Sequence, residues 1–178
     1  MLDKRSSIFV CSYMQNIYVI GGEVIFEGFS SPFTTASCMC FDIKSNKWTY
    51  TASMIESRYN ASCAVFEGKV VVSGGRTKKY NDSVIKLKSD EAFCFHENKW
   101  TQLPDMLEER SGHGTVSMGN KLFIIGGFHT YTFEVFDSIT NKFTYIESVP
   151  TSSYYLHDKY QCGERRLHNL CVSETTLC

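Results

Sequence analysis

Eight cysteines, five histidines and one basic segment are the parts of this 178-residue sequence with the widest chemical reach. Cys11, Cys38, Cys40, Cys63, Cys94, Cys162, Cys171 and Cys178 could in principle cross-link, hold a metal or react with oxidants. None forms a CxxC pair and no histidine pair stands nearby at zinc-finger spacing, so the pattern does not describe a zinc site. Cys38 and Cys40 stand two apart, on one face of a strand, where reduced thiols serve as small apolar residues. His96, His113, His129, His157 and His168 accompany no paired carboxylates and no Ser-His-Asp arrangement. The sequence therefore predicts no catalytic residue, no metal ligand and no cofactor. In "RTKKYNDSVIKLKSDE" the cations Arg76, Lys78, Lys79, Lys86 and Lys88 outnumber Asp82, Asp90 and Glu91. Such a segment either faces an acidic peptide or is an ordinary solvated loop.

Composition narrows the partners. With 18 basic against 19 acidic residues the net charge is −1, which disfavours wholesale binding to nucleic acid or an anionic membrane. The N-terminal stretch has no secretory apolar core, and no run approaches a membrane span. A soluble cytoplasmic chain is the expectation. At 43% hydrophobic and 14% aromatic it has the material for a core.

The elements that position these residues repeat. Diglycines stand at Gly21-Gly22, Gly74-Gly75 and Gly126-Gly127, spaced 53 and 52 positions apart. Sixteen residues before each first glycine comes an arginine, Arg5, Arg58 or Arg110. Each diglycine ends an apolar run ("IYVI", "VVVS", "LFII"), and a turn-like tripeptide separates that run from another apolar segment before it. "CFDIKSNKWTY", "CFHENKWTQL" and "VFDSITNKFTYI" then repeat an aromatic, a polar turn ending in Asn-Lys, and a second aromatic: Trp48, Trp100 or Phe143. Each unit reads as four short strands joined by turns, the pattern of a propeller blade. The diglycine reads as a strand end where backbones crowd and φ turns positive. It lacks the GxxxxGK[ST] and GxGxxG patterns of a phosphate loop.

The combination of arginine, "GKVVVSGG" and "CFDIKSNKW" resembles kelch repeats, in particular those of the kelch-like (BTB–kelch) proteins. The fold expected is all-β: a partial kelch β-propeller of about three four-stranded antiparallel blades. The repeats span 1–150, approximately 3–57, 58–109 and 110–150, and 151–178 form a tail outside the pattern. The resemblance implies that Arg58 and Arg110 are structural and lie in the first strand of their blades, and that Trp48, Trp100 and Phe143 pack between blades. It also implies that partners engage the face made by the second-to-third strand loops and the blade-to-blade connections. Arg76, Lys78, Lys79, Tyr80, Tyr59, Asn60 and the segment from Ser30 to Phe33 are the candidate contacts. A second basic residue used by some relatives is replaced by Ser7, Asn60 and Gly112.

Function follows as an expectation. The chain reads as a protein-interaction module, the substrate-holding part of a cullin-type ubiquitin-ligase adaptor, with actin and the cytoskeleton as the alternative. Direct cullin binding is not expected without a BTB domain. A copper-dependent kelch-type oxidase, drawing on His113 and His129, is the remote alternative. Kelch-like propellers typically carry six blades, so three resemble a fragment or truncated form, and their uncovered faces should make the chain self-associate.

Overall fold

The computed structural model describes residues 1–28, 31–79 and 83–146. The tail at 151–178 and Tyr80 lie outside the described residues. The first unit comprises β1 (Arg5–Ser6), β2 (Phe9–Tyr13), β3 (Asn16–Ile20), β4 (Glu23–Val24), β5 (Phe33–Thr34), β6 (Cys38–Asp42) and β7 (Lys47–Thr51). The second comprises β8 (Ser62–Phe66), β9 (Lys69–Ser73), β10 (Arg76–Lys78), β11 (Val84–Lys86), β12 (Asp90–Cys94) and β13 (Lys99–Gln102). The third comprises β14 (Gly114–Met118), β15 (Lys121–Ile125), β16 (Phe133–Asp137) and β17 (Lys142–Ile146). Three antiparallel four-stranded sheets result, ordered β2-β3-β6-β7, β8-β9-β12-β13 and β14-β15-β16-β17. The short arms β1-β4-β5 and β10-β11 stand beside the first two.

Turn chemistry fixes the strand ends. Asn46, Asn98 and Asn141 of the repeated Asn-Lys pairs all take positive φ, at 54°, 48° and 53°. Asparagine tolerates that left-handed conformation better than most residues. In the first and third sheets an aspartate closes the same turn: Asp42 accepts from the Lys44 amide at 2.8 Å and Asp137 from the Ile139 amide at 2.9 Å.

Two apolar seams join the sheets. In the first, Cys11, Tyr18 and Cys40 of one sheet meet Cys63, Val70, Phe93 and Trp100 of the next. In the second, Ala64, Phe66 and Val71 meet Leu122, Ile124, Phe136 and Phe143. Trp100 also donates from Nε1 to the Ala52 carbonyl across the seam, at 2.9 Å. Trp100 and Phe143 thus pack between blades as expected. Trp48 does not: it leans on Phe41 of its own sheet, ring centroids 5.0 Å apart, and stays half-buried. The reason is direction. Each such aromatic packs back onto the preceding blade, and none precedes the first sheet in this structure.

The diglycines are the joints between blades. The amides of Gly22 and Gly75 donate to the carbonyls of the next unit's arginines, Arg58 and Arg110, each at 2.8 Å. Gly21 and Gly74 both take φ of 56°, and a Cβ on either would stand 2.6 Å from that same carbonyl. At Gly126 the nearest atom to such a Cβ is the Thr130 carbonyl, 3.7 Å away. Gly74→Ala should therefore cost roughly 3 kcal/mol, from left-handed strain plus a backbone clash, while Gly126→Ala should cost only the strain, about 1 kcal/mol. Urea denaturation of the two variants beside the wild type measures the difference.

Candidate functional site

One face of the arc is built from the loops after β3, β9 and β15 and from the connections between sheets. Buried arginines hold these segments in place. Arg58 and Arg110 are fully buried, and they precede β8 and β14 rather than lying in the first strands, because each spans the connection between sheets. From the same position in each unit, Arg5, Arg58 and Arg110 donate from Nη1 to the first glycine carbonyl, at 3.2, 2.8 and 2.8 Å. That bond explains the constant sixteen-residue spacing. Nη1 also reaches the carbonyl of Ser37, Ser89 or Thr132, at 2.8, 2.8 and 2.7 Å.

The counter-charge was not legible in the sequence. Arg58 pairs with Glu91 at 2.5 Å and Arg110 with Glu134 at 2.8 Å, all buried. Glu91 further accepts from the Ile55 and Glu56 amides at 2.6 and 3.1 Å, and Glu134 from the Leu107 and Glu108 amides at 2.6 and 3.1 Å. The sequence assigned Asp90 and Glu91 to the charged loop. They belong instead to β12 and are buried, since strand pairing with β9 carries them inside. Burial pushes the Asp90 carboxyl well above its ordinary pKa, and Ser73 donates to it at 3.2 Å. In the first sheet the acid's position is Met39, and Arg5 pairs with Asp3 instead.

The candidate cations prove to be ties between units. Lys78 donates to the Pro32 carbonyl at 2.7 Å and stands 3.6 Å from Glu23, both in the first unit. Arg76 donates to Ser111 at 3.0 Å and lies 5.4 Å over the Phe128 ring, both in the third. Lys79 is 3.8 Å from Glu56. Tyr59 is buried and bridges Arg76 through its backbone, while Asn60, half-buried with φ of 50°, donates its amide to the Ser7 carbonyl at 3.2 Å.

This face also presents apolar side chains outward, beside exposed Lys79, Lys88 and His129. Ile25, Phe26 and Phe33 are exposed on the first arm, with the Phe26 and Phe33 rings 5.9 Å apart. Val84 and Ile85 are exposed on the second arm, Phe128 and Tyr131 on the third loop. The sequence signal for these was faint, because "EVIFEGF" reads as a strand fragment as easily as a binding loop.

Among the described residues no three His, Cys, Asp or Glu side chains cluster closely enough to hold a metal. Desolvation lifts the Cys38 thiol to about 12, and a hydrogen bond from the Cys11 thiol to Cys63, with burial, lifts Cys11 well above its ordinary value, so neither is primed as a thiolate. No helix among the described residues is long and apolar enough to cross a membrane.

Three radially repeated four-stranded sheets joined by diglycine hinges define a kelch-type β-propeller arc. A family model described as Kelch motif matches residues 57–107 and 109–150, the second and third units. The chain belongs to the kelch-repeat family. It is 35% identical over 130 residues to Spermatocyte protein spe-26 of Caenorhabditis elegans, covering 72% of this chain and 22% of that protein. It is 30% identical over 159 residues to Kelch-like protein 41b of Danio rerio, covering 86% of this chain and 25% of that one. The chain therefore spans about a quarter or less of these curated relatives. The solved structure of YjhT, a kelch propeller, superimposes with a TM-score of 0.67 at 16% identity, over 83% of this chain and 51% of that one.

Buried His113 yields a prediction. Burial, helped by the Arg110 guanidinium, lowers its pKa from 6.5 to about 3. Below pH 6.5 the unfolded chain takes up a proton that the folded chain refuses, so stability falls as pH drops across that window, by up to about 1.4 kcal/mol per pH unit. Alanine fills the equivalent position, Ala61, in the second unit. His113→Ala should lose about 2 kcal/mol less than wild type between pH 7 and pH 4.5, read from urea midpoints at the two values.

Proposed function

We propose that the arc is a protein-interaction module without catalysis of its own, holding a partner protein on its apolar loop face. Its finer role is to hold the substrate of a cullin-type ubiquitin-ligase adaptor in the cytoplasm. The likeness to a kelch-like protein supports that role. The observation that carries the reading is that exposed Phe26, Phe33, Ile85, Phe128 and Tyr131 all lie on the loops that follow β3, β9 and β15, at the same end of the three sheets. Aromatic anchors of this kind supply most of the energy at protein interfaces. Loops held on a propeller scaffold hold them at little entropic cost.

The chemistry of the partner follows from the same face. Lys78 and Lys79 stand beside Glu23 and Glu56, which offset their charge, so large flat rings are the more distinctive feature of the face. An extended segment with its own apolar side chains fits better than a polyacidic one.

The test is paired affinity capture followed by titration. Phe26→Ser with Phe33→Ser should weaken binding of a captured partner at least about tenfold, since each buried ring contributes roughly 1.5–3 kcal/mol. Met14→Ser with Ile139→Ser, exposed on turns of the opposite face, should leave it unchanged. A reversed pattern would sink the reading. Co-sedimentation with actin filaments, using the same variants, tests actin as the partner.

A further inference from the structure

Register matches the arms of the first two units residue by residue. Counting from Gly22 and Gly75, the pairs Glu23–Thr34 and Val24–Phe33 of the first arm correspond to Arg76–Lys86 and Thr77–Ile85 of the second. The bases of the arms agree bond for bond. The Thr35 amide donates to the Gly22 carbonyl and the Leu87 amide to the Gly75 carbonyl, each at 2.9 Å. The Thr35 and Leu87 carbonyls then accept from the amides of Arg58 and Arg110, at 3.4 and 3.0 Å. Pro32 therefore corresponds to Val84, and β5 to β11.

The two outer strands have different neighbours. β5 lies against β10 of the next unit, where Lys78 donates to the Pro32 carbonyl at 2.7 Å. The third unit supplies no such arm to β11. From Gly126 to Thr132 it makes a tight turn, in which the Gly126 amide donates to the Thr132 carbonyl and the Thr130 amide to the Gly127 carbonyl, both at 3.2 Å. Thr130, at the position of Lys78, is folded back and buried. Phe128 meets the base of the second arm: its ring lies under Arg76 and its carbonyl accepts from Lys86 at 2.7 Å.

Beyond that base the edge of β11 is open. Antiparallel pairing alternates bonded and non-bonded positions. The Lys79 amide donates to the Ser83 carbonyl at 2.9 Å, so Ser83 and Ile85 turn toward β10 and the peptide groups of Val84 and Lys86 turn outward. The Pro32 carbonyl, reached by Lys78, faces the same way in the first arm. Val84 is 47% exposed, whereas Pro32 is half-buried. Ile85, Phe128 and Tyr131 stand exposed on either side of the gap.

We propose that an extended segment of the partner protein, with apolar side chains at alternate positions, adds to β11 as a further strand where a third arm would lie. This rests on the loop-face reading above and gives it a binding mode. An open strand edge recruits another extended chain through its backbone, and flanking side chains select the sequence. β10 against β5 is the internal precedent: one extended strand already fills the matching place in the first gap. The exposed apolar groups beside β11 suit a segment whose side chains alternate apolar and polar.

A displayed library of random peptides about ten residues long, enough for a strand of usual length with flanks, is panned on the full 178-residue chain. The synthesised binder should slow hydrogen exchange at the Val84 and Lys86 amides. Single N-methyl groups along it should weaken binding about tenfold at every second residue and little in between, since each removes one pairing hydrogen bond. Val84→Pro removes the outward donor alone, and Pro32 at the matching position shows that an arm accommodates it. That variant should unfold at the wild-type temperature and bind the peptide about tenfold more weakly. The N-methyl series uses the unaltered protein and decides the matter should Val84→Pro fail to fold. A library without a binder overturns the proposal, and so does a binder indifferent to N-methylation. A Val84 amide already protected in the chain alone also overturns it, because the edge then has an occupant of its own. The two readings fail separately. A captured partner weakened by Phe26→Ser with Phe33→Ser but not by Val84→Pro keeps the loop face and overturns strand addition; one weakened by neither overturns both.

Discussion

A guanidinium sealed from water anchors each blade to its own loops. Moving a charge out of water costs several kcal/mol unless partners surround it, and removing one partner leaves that cost exposed. Arg58 and Arg110 meet the demand with backbone carbonyls and a buried glutamate, and the glutamates in turn take two amides from the connection leading in from the previous sheet. One charge pair thus ties together the diglycine, the start of the third strand and the connection between sheets. The first sheet keeps the arginine and its carbonyls but replaces the glutamate with Met39, drawing on Asp3 instead. That exchange accompanies a repeat that lies outside the matched residues 57–107 and 109–150.

The proposed partner face lies apart from this machinery. Several charged groups that look available in the sequence tie units together, while the rings of the proposed face stay exposed on the arms. Lys78 and Arg76 illustrate the division: one reaches back to the first unit, the other forward to the third.

Much of the fold was legible because its signals are local and repeat. An arginine sixteen residues before a diglycine is visible in the string, and the structure shows the hydrogen bond that sets the interval. Asn98 and its counterparts mark turns by conformational preference alone. The glutamates were hidden because their partners are 33 and 24 residues away, and an acid beside a charged loop looks solvated until strand pairing buries it. Trp48 marks a related limit: the repeat specifies which way it faces, while the described residues hold no preceding sheet for it to meet. The apolar arms carry no repeat at all, so nothing in the register pointed to Phe26 or Phe33.

The two seams share one sheet, and that asymmetry governs how the arc comes apart. In a linear array each unit is stabilised by its neighbours, so the terms simply add along the chain. Among the described residues the middle sheet, β8-β9-β12-β13, draws on both seams, and each outer sheet on one. Damage to an outer sheet can stay there as fraying, with the remaining pair intact. Damage to the middle sheet strands both neighbours at once, so it behaves as the arc's keystone and sets its cooperativity.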